Sequence, residues 1–81
     1  MGLEHISNGT APEVALLDRG DRRTAYLVTL GKRTFLARHF ARSGTWIVEN
    51  EHGTRLSQYG RLGLRVVTAC ERFAEREAAR A

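Results

Sequence analysis

The sequence predicts a single small α+β domain, with an antiparallel meander of four or five strands and one C-terminal helix packed on one face. Up to Tyr59, short segments rich in β-branched and aromatic residues alternate with turns that contain Gly. From Leu64 onward the apolar residues instead recur with a helical period. At 81 residues the chain has room for one domain and one core.

We predict that residues 1–11 form a flexible N-terminal tail and that residues 12–81 form the domain. The tail shows no hydrophobic period and includes Ser, Asn, Gly and Thr. It carries acidic residues and lacks an apolar core, so it does not resemble a signal peptide. No apolar run approaches the roughly 20 residues needed to span a bilayer, and the single cysteine fits a reducing compartment. These features predict a cytoplasmic protein with no membrane partner.

Two strands and a tight turn are predicted near the start of the domain. The apolar run from Glu13 to Asp18 forms the first strand and ends at the turn 19–21. The second strand runs from Thr24 to Leu30, the segment richest in β-branched and aromatic residues. Gly31 and Lys32 then suit a two-residue hairpin turn with Gly first. This turn sets three cross-strand pairs: Tyr26 with Ala37, Val28 with Phe35, and Thr29 with Thr34.

The segment from Thr34 to Arg42 is ambiguous between strand and helix. Leu36 and Phe40 are four residues apart and would also share one face of a helix. A strand is favoured because the preceding turn requires a partner strand. A second hairpin through Ser43-Gly44 would then set two favourable pairs: Phe40 with Ile47, and Arg38 with Glu49.

The C-terminal half is predicted to contain two further strands and the helix. Thr45 to Asn50 forms a strand and Thr54 to Tyr59 a short fifth one. The helix buries the stripe Val66, Val67, Cys70, Phe73, Ala74 and Ala78, and most of its charged residues, including Arg65, Arg72 and Arg76, fall on the other face. The sheet residues expected beneath the helix are Tyr26, Val28, Leu30, Phe35, Ala37, Trp46 and Val48.

The candidate catalytic residues are scattered along the sequence. His5, His39 and His52 fall on different predicted elements, and no Cys or carboxylate stands at metal-ligand spacing from them. Cys70 lies within the apolar stripe, where a lone cysteine usually packs as a small hydrophobe. We therefore expect a non-enzymatic protein with no metal, no cofactor and no small-molecule substrate.

Positive charge is the most informative chemical feature. The chain has 13 Lys+Arg against 9 Asp+Glu, and residues 19–42 hold seven cations against the single acid Asp21. Guanidinium groups suit phosphate and carboxylate, although a GC-rich coding sequence would give the same excess of Arg. Because alternate turns of a meander emerge at one end of the sheet, we expect the arginines of the first turn to lie near Arg42. The predicted nucleic-acid-binding residues are Arg19, Arg22, Arg23, Lys32, Arg33, Arg42 and Arg61.

The segment Gly60-Arg61-Leu62-Gly63 has two interpretations. A Gly-x-x-Gly loop that opens a helix can present free amides to a phosphate, with help from Arg61 and Arg65. A plain glycine turn is the more common reason for so short a motif.

A second apolar surface is predicted on the sheet face away from the helix, formed by Leu27, Leu36, Phe40 and Ile47. We expect it to bind a protein partner or to pair with a second copy. Two hypotheses follow. The first is a nucleic-acid-binding accessory or regulatory module, for DNA or RNA, that uses the arginine-rich turns, with Phe40 or Trp46 stacking on bases. The alternative is a protein-interaction module, such as a homodimeric adaptor or an inhibitor. The basic charge favours the first.

Overall fold

The computed structural model describes residues 11–80, which form a five-stranded antiparallel sheet with one helix packed on one face. The strands are β1 (Glu13–Arg19), β2 (Arg23–Leu30), β3 (Arg33–Phe40), β4 (Thr45–Asn50) and β5 (Arg55–Leu56), and they lie in the sheet in chain order. The helix α1 (Arg61–Arg80) follows β5. The predicted α+β meander is confirmed, whereas the predicted tail lies outside the described residues apart from Ala11. Within residues 11–80, no helix is long and apolar enough to cross a membrane.

The hairpin between β2 and β3 has the predicted register. Tyr26 lies opposite Ala37, and Val28 lies opposite Phe35. Gly31 has a φ of 62°, a backbone conformation that residues other than glycine rarely adopt. This two-residue turn forces the chain back as a strand, so the ambiguous segment is strand β3 as far as Phe40.

The hairpin between β3 and β4 differs from the predicted one by two residues. Phe40 lies opposite Thr45, whereas the prediction placed it opposite Ile47. The loop has four residues, 41–44, and is closed by a 2.8 Å hydrogen bond from the Gly44 amide to the Phe40 carbonyl. A shift of two residues keeps every side chain on its predicted face.

The core lies between one face of the sheet and α1, which crosses β1, β2, β3 and β4. The Tyr26 ring lies 5.8 Å from the Trp46 ring and meets the Phe73 ring edge-on at 6.0 Å, measured between centroids. Six of the seven sheet residues predicted beneath the helix are buried, and Leu30 packs against them at the margin. The buried apolar residues are Tyr26, Val28, Phe35, Ala37, Trp46, Val48, Val66, Val67, Ala69 and Cys70.

The start of α1 packs tightly against the loop that follows β5. The Gly60 carbonyl accepts the first helical hydrogen bond, 2.8 Å from the Leu64 amide. Gly63 is buried in the first turn, and a Cβ atom there would overlap the Ser57 carbonyl oxygen. Close backbone packing therefore accounts for the second glycine of Gly-x-x-Gly, which favours the glycine-turn interpretation.

Candidate nucleic-acid interface

The first and third turns meet at one end of the sheet. The Ala41 amide donates a 3.0 Å hydrogen bond to the Arg22 carbonyl, and Arg23 lies opposite Phe40 in the β2–β3 pair. Arg42 follows in the same loop. The meander therefore brings three of the four predicted turn arginines to one end of the sheet, next to an aromatic side chain. We call Phe40, Arg22, Arg23 and Arg42 together the Phe40 end.

Phe40 lies between two shallow depressions at this end. Arg22 and Arg42 line the first with Phe40, and Arg22 and Arg23 line the second with it. Phe40 is partly exposed, and the three arginines are exposed. Each depression thus combines an accessible aromatic ring with two guanidinium groups.

The three arginines of the Phe40 end form no ion pair with a carboxylate of residues 11–80. Asp21 lines both depressions and Asp18 lines one, so the three positive charges still exceed the two negative ones. A guanidinium is always charged and offers planar paired donors. A phosphate could therefore bind here without breaking an internal ion pair.

Arg19 is the predicted turn arginine that departs from this cluster. A register shift between Leu16 and Asp18 places it opposite Thr24, on the face that carries the helix. It lines a depression beside the C-terminal part of α1. Burial raises the pKa of Tyr26, and the positive charge of Arg19 opposes that rise.

Lys32 and Arg33, which were predicted to bind nucleic acid, lie at the opposite end of the sheet. Arg33 Nη2 is 3.2 Å from Glu51 Oε1, and the guanidinium carbon lies 5.1 Å from the centre of the Phe35 ring. The hydrogen bond from Arg33 holds the pKa of the Glu51 carboxyl below its usual value. Arg33 is thus engaged in structural contacts, and neither residue adjoins the Phe40 end.

Trp46 belongs to the core. Its ring stacks on His39 at a centroid distance of 4.5 Å and an interplanar angle of 28°. Only 9% of the residue is exposed, so a base could not stack on it without opening the core. Of the two candidates for base stacking, Phe40 is the accessible one.

The second predicted surface is present on the face away from α1. Leu27, Leu36, Phe40 and Ile47 all lie on this face of the sheet. Leu27 is 37% exposed, and the other three are partly shielded by their neighbours. An ion pair also crosses this face, with Arg38 Nη2 3.4 Å from Glu49 Oε1. No element within residues 11–80 covers it.

A second group of arginines lies on α1. The sequence predicted that Arg61 binds nucleic acid and that Arg65, Arg72 and Arg76 lie on the helix face away from the apolar stripe. Arg61, Arg65, Arg72 and Arg76 line one groove between α1 and β1. Their separations of four, seven and four residues keep them on one side of the helix. That spacing was visible in the sequence, but the position of β1 beside them was not.

Two observations concern potential metal ligands and nucleophiles within residues 11–80. No group of three or more His, Cys, Asp or Glu within residues 11–80 is placed to hold a metal ion, and His5 lies outside that range. Burial raises the pKa of the Cys70 thiol to about 12, so the nucleophilic thiolate is scarce at neutral pH.

Comparison with known proteins adds no functional information. No protein-family model, curated protein or solved structure matches the chain. The assignment of function therefore depends on the geometry of the Phe40 end.

Proposed function

We propose that this protein is a small non-enzymatic accessory or regulatory module that binds nucleic acid, and specifically DNA, at the Phe40 end. The observation that carries the proposal is the accessible Phe40 ring between arginines that form no ion pair within residues 11–80. The guanidinium groups bind phosphates and the ring stacks on a base. A single strand suits this arrangement best, because its bases are free to stack on an aromatic side chain.

The electrostatic part of this binding has a measurable signature. Each phosphate contact releases counterions, so affinity falls with salt, at a slope of about 0.7 in log–log units per contact for a single strand. Arg22, Arg23 and Arg42 would together contribute a slope of about 2. This contribution is independent of base sequence, since it depends on the backbone alone.

The test is a salt titration of binding to a fluorescent oligothymidine and to a generic duplex, between about 50 and 200 mM salt. The variant Arg22→Ala/Arg42→Ala should weaken binding and flatten the single-strand slope by about 1.4 units. The control Arg19→Ala/Lys32→Ala removes the same charge elsewhere and should change the slope far less. Absence of binding at low salt, or equal losses in both variants, would refute the assignment.

A second candidate function uses the outer sheet face. Leu27, Leu36, Phe40 and Ile47 form an apolar surface that α1 does not cover, and a domain of this size gains stability by burying more apolar area. On this alternative the protein is an interaction module, a homodimeric adaptor or an inhibitor that pairs through the sheet. Sedimentation at tens of micromolar would then show at least a dimer, and a monomer would remove self-pairing.

A further inference from the structure

The groove between α1 and β1 is the most strongly charged feature away from the Phe40 end. Arg61, Arg72 and Arg76 line it, and Val14 and Leu64 supply apolar surface. Leu64 is 50% exposed. Among the described residues, no Asp or Glu lines this groove.

The arginines form a continuous line because of their spacing. With 100° of rotation per residue, positions 61, 65, 72 and 76 fall within an arc of about 60°. Fifteen residues of helix separate the first from the last, a distance of about 22 Å. The arginines therefore flank the groove over a distance that matches an extended peptide of about seven residues, at about 3.3 Å per residue.

Three of these four arginines take no part in an ion pair of the described residues. Arg61, Arg72 and Arg76 form no ion pair with a carboxylate of residues 11–80. Farther along the helix the situation differs, since Arg80 Nη1 is 3.2 Å from Glu77 Oε2.

Strand β1 contributes an open sheet edge to the same place. It is the first strand of the sheet and pairs only with β2 among the described strands. The register shift between Leu16 and Asp18 leaves Glu13 to Leu16 as the regular part of this edge. Val14, in the middle of that part, lines the groove. An exposed edge of this kind is a template for the addition of another strand.

We propose that the groove binds an extended acidic segment of a partner protein, which adds to β1 as a further strand. The backbone of the segment would pair with Glu13 to Leu16, and its carboxylates would pair with Arg72 and Arg76. A peptide can use both a sheet edge and an apolar floor, whereas a nucleic acid would use the charge of this groove but not the sheet edge. The site is independent of the proposed DNA site, because Glu13 lies opposite Thr29 at the far end of the sheet from Phe40.

The test uses a fluorescein-labelled seven-residue peptide of alternating Glu and Val with the full chain. We expect binding by fluorescence anisotropy, and at least about tenfold weaker binding to Arg72→Glu/Arg76→Glu. Arg22→Glu/Arg42→Glu makes the same charge change at the Phe40 end and should stay within about twofold. Arg72→Gln/Arg76→Gln, which adds no negative charge, should show a smaller loss with an unchanged circular dichroism spectrum.

A second peptide tests the strand addition itself. The same sequence with N-methyl groups on alternate amides keeps every carboxylate but loses the donors for β pairing, so it should bind at least about tenfold more weakly. Equal binding of both peptides would overturn the proposal. The proposal would also be overturned if oligothymidine bound in a way that depends on Arg72 and Arg76 while the peptide did not bind. If sedimentation shows a dimer and Arg72→Glu/Arg76→Glu converts it to a monomer, the groove binds a second copy of the chain instead.

Discussion

Gly63 and Ser57 pack backbone against backbone, so closely that a Cβ atom on Gly63 would overlap the Ser57 carbonyl oxygen. This contact sets the distance between the first turn of α1 and the loop after β5. The same loop also supports the sheet, because the Gln58 side chain accepts a 3.1 Å hydrogen bond from the Trp46 amide. The glycine thus couples the start of the helix to the edge of the sheet.

We expect Gly63→Ala to destabilise the fold by about 1–3 kcal/mol, the usual cost of forcing extra volume into a packed site. Gly60→Ala is the matched control from the same Gly-x-x-Gly segment. A Cβ atom there would lie 3.5 Å from the Ser57 carbonyl oxygen, in ordinary contact, and the cost should stay below about 1 kcal/mol for a changed helix cap. Urea unfolding followed by circular dichroism measures both. Equal stability of the two variants would show that the loop moves aside.

The two hairpins show which parts of the sheet were predictable. At Gly31 the turn has two residues and needs the conformation that glycine supplies, so the turn alone fixed the register of β2 and β3. Ser43-Gly44 looked similar, but Gly44 is the last residue of a four-residue loop. Sequence alone does not distinguish these loops when Gly is the only strong turn signal. Each side chain nevertheless lies on its predicted face of the sheet. Side chains alternate between the two faces along a strand, so a register error of two residues does not change the face.

The candidate sites were only partly predictable because they depend on irregular features. Continued from Leu16 without interruption, the β1 register would place Arg19 opposite Arg23 and on the outer face. The shift before Asp18 instead places Arg19 opposite Thr24, on the face that carries the helix. A β-bulge has no reliable signature in a single sequence, yet it turns the following side chains over. The arginines of α1 show a similar limit. Their spacing in the sequence places them on one side of the helix, but it does not show that strand β1 lies beside them.

Cys70 provides a test of the core. Burial raises the pKa of its thiol from 9.0 to about 12, and only the thiolate reacts with thiol reagents. We expect slow labelling of the native protein at neutral pH and fast labelling after denaturation. Rapid native labelling would place Cys70 outside the core.

The same burial predicts a dependence of stability on alkaline pH. Because the unfolded thiol releases its proton near 9.0 and the folded one near 12, the unfolded state binds fewer protons in between. The contribution of Cys70 to the free energy of unfolding should therefore be constant below about pH 9 and fall as the pH rises toward 12. Cys70→Ala lacks this group and should show a shallower fall, with the remainder due to other groups such as Tyr26. Parallel pH profiles for both proteins would contradict the assignment.

Phe40 separates the two functional proposals, because it belongs to the Phe40 end and also to the apolar outer face. If DNA binds there, Phe40→Ala removes a stacking contact worth about 1–3 kcal/mol and weakens single-strand binding by about 5- to 150-fold. The salt slope should stay the same, since the arginines remain. Phe40→Trp preserves a stacking surface and should retain binding. If the outer face pairs proteins instead, Phe40→Ala should abolish self-association and leave only weak, salt-sensitive binding to DNA.

Leu36→Ala is the matched control for Phe40→Ala, since Leu36 lies on the same strand and the same face, four residues from Phe40. It lines neither depression at the Phe40 end. A DNA site predicts that Leu36→Ala leaves single-strand binding within about twofold of the parent, because no base reaches it. A protein-pairing face predicts that both substitutions weaken association, because both side chains contribute apolar area to one surface. Anisotropy with oligothymidine and sedimentation of the two variants therefore give opposite patterns. Loss of DNA binding in both variants would argue against stacking at Phe40. Leu36 and Phe40 both lie on the outer face, but only Phe40 lies beside the arginines.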